Sequence, residues 1–180
     1  MLELKIKPTE IYDSVNNEFV EFPGTTLRLE HSLVSVSKWE AKYCKPFLND
    51  KQKTQEETLY YIYCMCLDDV SEDITRFITN SDVETISNYI SAPMTATTFT
   101  QREGQARGGR KIVTSEEIYY YMVALQIPFE CQYWHLNRLM TLIHVCSIKN
   151  QPPKKMGKRD IMKSNTSINA ARRKALHSSG

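Results

Sequence analysis

Five cysteines and four histidines are the residues of this 180-residue chain best suited to metal or nucleophilic chemistry. Cys64 and Cys66 stand two apart in an apolar helical stretch. A two-residue step turns side chains about 200° around a helix, so these thiols diverge. No second CxxC or HxxxH completes a four-ligand zinc set. Cys131 and His135 are i, i+4 and share a face, but a third ligand is missing. His144 lies nine residues beyond His135, on the opposite side of the helix. A thiol–imidazole nucleophile also needs a group to orient the base and donors for an oxyanion, and nothing singles out Asn137 for that work. GQARGG at 104–109 matches neither the phosphate-loop spacing nor GxGxxG. Packed thiols and hydrogen-bonded imidazoles are the simpler reading, and neither enzyme, cofactor nor metal is expected.

Binding is better represented than catalysis. Tyr60, Tyr61, Tyr63, Tyr119, Tyr120, Tyr121, Tyr133 and Trp134 form an aromatic set denser than one small core needs. Three consecutive tyrosines on a helix point to different sides, so at least one of 119–121 leaves the core. Tyr and Trp give contact area at low entropic cost and are enriched at interfaces. A candidate partner surface therefore comprises Trp39, Tyr43, Tyr119, Tyr120, Tyr133, Trp134 and Arg138.

The charge distribution adds a second candidate. Residues 1–150 hold 15 Lys+Arg against 20 Asp+Glu, whereas residues 151–180 hold 8 against a single acid. The basic tail contributes Lys154, Lys155, Lys158, Arg159, Arg172, Arg173 and Lys174 as partner-binding candidates. It has no aromatic ring on which single-stranded bases would stack. An acidic protein surface is favoured over a merely solvated tail and over nucleic-acid phosphates, whose binding would fall steeply with salt.

These residues need elements to position them. Leu2, Leu4 and Ile6 alternate with charged residues, the period of a half-buried strand ended by Pro8. Residues 19–22 and TLRLE at 26–30 complete an expected three-stranded sheet. A helix is expected from Leu33 to Tyr43, with Trp39 and Tyr43 on one face. Thr54/Glu57, Ser81/Glu84 and Thr114/Glu117 have capping-box spacing, in which a hydroxyl and a carboxylate satisfy free amides of a first helical turn. The stripe Ile118, Tyr121, Met122, Leu125 and the stripe Leu136, Leu139, Met140, Ile143, Cys146 predict two apolar helices joined at Ile127–Pro128. Residues 93–113 read as a flexible, Gly- and Arg-bearing loop and a further contact surface.

The expected fold class is α+β, mainly α. A small N-terminal antiparallel β-sheet leads into a multi-helix domain and a basic C-terminal tail. One domain spans 1–150, β-rich over 1–31 and helical over 33–150. Residues 151–180 form a tail that is largely disordered until it meets a partner, with 165–176 able to become helical on binding. No apolar run reaches the roughly 18 residues that cross a bilayer, and no signal peptide is evident, so no membrane is expected.

Four segments carry a resemblance: LRLEHSLVSVSKWEAKYCKPFL (27–48), APMTATTF (92–99), IPFECQYWHLNRLMTLIHVC (127–146) and QPPKKM (151–156). Together they resemble the tail assembly chaperones encoded in the tail-gene region of long-tailed bacteriophages. The resemblance implies a largely helical, non-enzymatic protein of the infected host's cytoplasm. It implies binding to the tape-measure protein and assistance to tail-tube protein as it polymerises around it. The alternative is a structural virion component, a tail or head–tail connector subunit. A nucleic-acid-binding packaging or regulatory factor comes third, and a homo-oligomer is compatible with each.

Overall fold

A computed structural model describes residues 1–13, 17–49, 51–98, 113–150 and 157–176. Two compact units are present, Met1–Ser147 and Ile148–Gly180. The fold is α+β and mainly helical: a β-ribbon at the N-terminus precedes the helices.

The ribbon corrects the three-stranded expectation. Strands β1 (Leu2–Ile6) and β4 (Thr25–Leu29) pair antiparallel, and β2 (Thr9–Asp13) pairs with β3 (Glu18–Phe22). Ile6 faces Thr25 and Thr9 faces Phe22, so both pairings keep one register. The two short sheets are one long hairpin interrupted where Lys7-Pro8 passes Pro23-Gly24. Proline has no amide to donate to the ladder, and two prolines opposite each other break it on both sides. Gly24 adopts φ +81°, and a Cβ there would lie 2.8 Å from the Pro8 nitrogen and 2.9 Å from the Ile6 carbonyl oxygen. Strand β2 lacks the alternation of β1, which hid it in the sequence.

Alternation buries Leu4, Ile6, Leu27 and Leu29 on one face. The free edge of β4 is covered by the chain leaving α2 (Gln55–Met65): the Glu30 amide donates to Met65 and the Leu67 amide to Arg28, each at 2.9 Å. Asp68 then accepts from the Arg28 side chain and backbone, fixing that crossing.

Helix α1 (Leu33–Tyr43) begins at the Ser32 cap and ends where Cys44 turns left-handed. It packs against α2 and α4 (Ser115–Ala124) through Leu33, Val36 and Trp39. The Thr54/Glu57 capping box is present on α2. Helix α3 (Asn80–Ser91) uses Thr79 and Asp82 instead of Ser81 and Glu84, because Thr79 holds the extended backbone a cap requires. Thr114 makes no side-chain cap hydrogen bond at α4. The buried Glu40 of α1 substitutes: one carboxylate oxygen accepts the Ser115 amide at 2.8 Å and the other the Phe47 amide at 2.7 Å.

Helix α4 ends three residues before Ile127, with Gln126 left-handed and the Ile127 amide bonded to Met122. A 3-10 turn, Phe129–Tyr133, separates it from α5 (Leu136–Lys149), so the expected two-helix joint contains an extra element. Pro128 opens that turn. Ile118, Met122, Leu136, Leu139 and Ile143 are buried as their stripes predicted.

In the second unit the chain is helical from Lys158 to Leu176 (α6), beginning seven residues before the expected segment. No Gly or Pro interrupts this run, and Lys, Arg, Met and Ala are good helix formers. Most of the 93–113 loop, residues 99–112, lies outside the described residues, as do Lys154 and Lys155.

Candidate partner-binding surface

Helix α4 presents two unlike sides. Ile118 and Met122 are fully buried, whereas Tyr120 and Val123 are 67% and 61% exposed. The 3-10 turn continues the exposed side with Phe129 and Tyr133, 54% and 61% exposed. Tyr119 joins the two elements. Its ring lies 6.4 Å from that of Phe129, and its hydroxyl donates to Gln132 Oε1 at 2.9 Å. Burial, and secondarily proximity to Tyr133, raises the Tyr119 hydroxyl above the ordinary tyrosine value. It therefore remains a neutral donor at neutral pH.

At the end of this strip the Arg138 guanidinium sits 4.2 Å from the Trp134 ring, a cation–π contact that fixes both side chains. Glu116, in the first turn of α4, and Glu130, in the 3-10 turn, are both exposed. Glu116 is held below the ordinary carboxylate range, first by its own backbone amide and then by the Thr114 hydroxyl. Tyr119, Tyr120, Tyr133, Trp134 and Arg138 are thus gathered on neighbouring elements, and Val123 and Phe129 extend the patch. Sequence reading missed the last two because a valine and a phenylalanine inside apolar patterns read as core.

Other candidates fall elsewhere. Trp39 corrects the aromatic-face reading of α1: it is 2% exposed and its indole donates to the Glu57 carbonyl at 2.9 Å. Rings of Tyr43 and Phe47 lie 4.9 and 5.1 Å away. A residue walled in this way offers no surface. Tyr43 is half-buried between α1 and α2, near the Lys42 ammonium that sits over the Tyr60 ring at 3.5 Å. Lys158, Arg159, Arg172, Arg173 and Lys174 are exposed on α6.

The chemical candidates are packed. Burial pushes the Cys64 and Cys66 thiols up to about 11, which leaves them protonated and poorly nucleophilic at neutral pH. Among the described residues no three His, Cys, Asp or Glu side chains converge as metal ligands. GQARGG lies outside the described residues.

His135 belongs to a buried polar network that spacing alone could not reveal. Its Nδ1 accepts the Asn137 amide at 3.3 Å, so its Nε2 donates to the Tyr89 carbonyl at 3.1 Å. Asn137 caps the same end of α3, donating to the Ile90 and Ala92 carbonyls. The His31 ring lies 5.1 Å from that of His135, and its Nδ1 shares a hydrogen bond with the Tyr61 hydroxyl. Glu30 accepts from the Tyr89 hydroxyl at 2.6 Å and pairs with the Met1 amine at 2.7 Å. The one sequence signal was the polar run EHS between a strand and an apolar helix. No protein-family model, curated protein or solved structure matches this chain.

Proposed function

We propose that this protein is a non-enzymatic tail assembly chaperone of a long-tailed bacteriophage, acting in the host cytoplasm. On this reading it holds an apolar helical segment of the tape-measure protein and assists tail-tube subunits in assembling around it. The observation that carries the reading is the exposed set Tyr120, Val123, Phe129 and Tyr133 on two neighbouring elements, joined by the half-buried Tyr119. A helix laid in such a strip anchors through residues at i, i+3, i+4 and i+7. The likeness of residues 27–48, 92–99, 127–146 and 151–156 to tail assembly chaperones supplies the identity of the client.

Co-expression with the tape-measure protein of the same gene cluster tests it. The client is expected to stay soluble and to co-purify with this chain. A client whose solubility is the same with and without the chain overturns the reading. Mass spectrometry of purified particles distinguishes the structural alternative, since a stoichiometric subunit persists in the virion and a chaperone does not.

A further inference from the structure

The β2–β3 ribbon carries an arrangement that its own stability does not explain. Glu10 stands directly opposite Glu21, and Tyr12 opposite Phe19. Cross-strand partners share a face, and residues two apart on a strand share it too, so all four side chains lie on one side. Directly opposed Cβ atoms are about 5 Å apart, and like charges at that spacing destabilise a hairpin. Both carboxylates are exposed, and none of the ion pairs among the described residues involves either. The two rings meet at 5.1 Å yet remain 55% and 67% exposed. Residues 9–22 hold four acids and no Lys or Arg. This face is complementary to an element with one cation beside an apolar side chain.

Helix α6 has that chemistry. Its residues 158–176 hold six Lys+Arg against one Asp. Nearly all of its described side chains are exposed, including Ile161, Ile168 and Leu176. At 100° per residue, Lys158, Ile161, Ile168, Arg172 and Leu176 fall on one stripe that combines two cations with three apolar groups. In proteins most helical stability comes from packing an apolar face rather than from propensity. The stripe argues for a protein partner over a polyanion, because phosphates offer nothing to bury isoleucine against. Ile168 and Arg172 are one turn apart, about 6 Å along the axis. Successive same-face pairs on a strand are about 6.7 Å apart, so the two repeats match.

We propose that α6 of one copy docks across the β2–β3 ribbon of a second copy, with Arg172 on the Glu10–Glu21 pair and Ile168 on the Tyr12–Phe19 rings. Made reciprocally, the contact closes a twofold dimer. Arg172 presents the planar fork that two carboxylate oxygens accept. Binding relieves the repulsion between the glutamates and covers the rings.

Sedimentation equilibrium of the full chain tests this. A dimer is expected at low salt, dissociating as ionic strength rises toward about 0.5 M. Arg172→Glu alone, or Glu10→Lys with Glu21→Lys, weakens it about tenfold or more, and the three changes together restore it. A chain monomeric at every concentration overturns the proposal, as does a dimer indifferent to both charge reversals, or one whose loss the combined variant does not restore. If a variant fails to fold, the salt dependence of the unaltered chain and the effect of Ile168→Ser decide. The Glu10/Glu21 variant leaves the α4 strip intact, so client solubilisation reports separately on the chaperone reading.

Discussion

Glu40 and Ser115 are 75 residues apart, and the carboxylate of the first accepts the backbone amide of the second at 2.8 Å. The other oxygen takes the Phe47 amide. One buried side chain thus starts α4, and with it the aromatic strip, from a neighbouring helix. Glu40→Ala leaves two amides in the interior without acceptors. Each costs about 1–3 kcal/mol, so urea unfolding should show a loss of about 2–6 kcal/mol. Glu40→Gln keeps one acceptor and should lose about half as much. A loss under about 1 kcal/mol for the alanine variant would remove Glu40 from this role.

The apolar stripe of α5 makes a second prediction. Leu139 is wholly buried and Ile143 nearly so. Truncating either to alanine should cost about 2–5 kcal/mol, the transfer term plus the cavity left behind. Equilibrium denaturation with an unchanged slope would attribute the loss to the native core.

Acid should unfold the protein through its histidines. Burial lowers His31 from the ordinary 6.5 to about 3, and the neighbouring His135 adds to this. Burial also lowers His135, against the Tyr89 carbonyl and Glu30, which favour its charge. The groups facing this pair are Tyr61 from α2, Tyr89 from α3, Glu30 and the Met1 amine. A folded-state value below the unfolded one means the unfolded chain takes up the proton first. The contribution is therefore complete above about pH 6.5 and is lost as pH falls toward about 3. His31→Gln should flatten the pH dependence of the urea midpoint over this window. An unchanged slope would refute the assignment.

Gly24 offers a local test. Alanine there meets backbone at 2.8–2.9 Å in a left-handed conformation, so Gly24→Ala should destabilise by about 1–3 kcal/mol. The effect should appear as loss of amide protection across the β1–β4 pairing.

The aromatic strip should separate binding from stability. Tyr120, Phe129 and Tyr133 are each more than half exposed, and replacing all three with serine should shift unfolding free energy by under about 1 kcal/mol. The same variant should fail to keep the tape-measure protein soluble. Full solubilisation by a folded triple variant would show that this strip is not the contact.

Local pattern made much of the fold legible. The alternation of Leu2, Leu4 and Ile6 marked β1, and a partial apolar stripe ended by Pro46 placed α1 from Leu33 to Tyr43, although the Ser32 cap that starts it went unread. Misreadings arose where distant residues decide. Ser81/Glu84 had capping spacing, yet the backbone turned extended two residues earlier. Trp39 and Tyr43 shared a predicted face, but whether that face meets solvent depended on α2, whose Glu57 carbonyl accepts the Trp39 indole and whose Tyr60 ring lies against Tyr43.

By itself the sequence determined the fold class, the α1 limits, the buried stripes of α4 and α5, and the opposition of acidic body and basic tail. Each follows from period, local capping or summed charge, which act over a few residues or need no geometry. Tertiary structure alone decided that Glu40 caps α4, that His31 meets His135, and that Glu10 faces Glu21 across a ribbon. These depend on chain paths brought together over long separations, or on strand register, and no local spacing encodes which partners arrive.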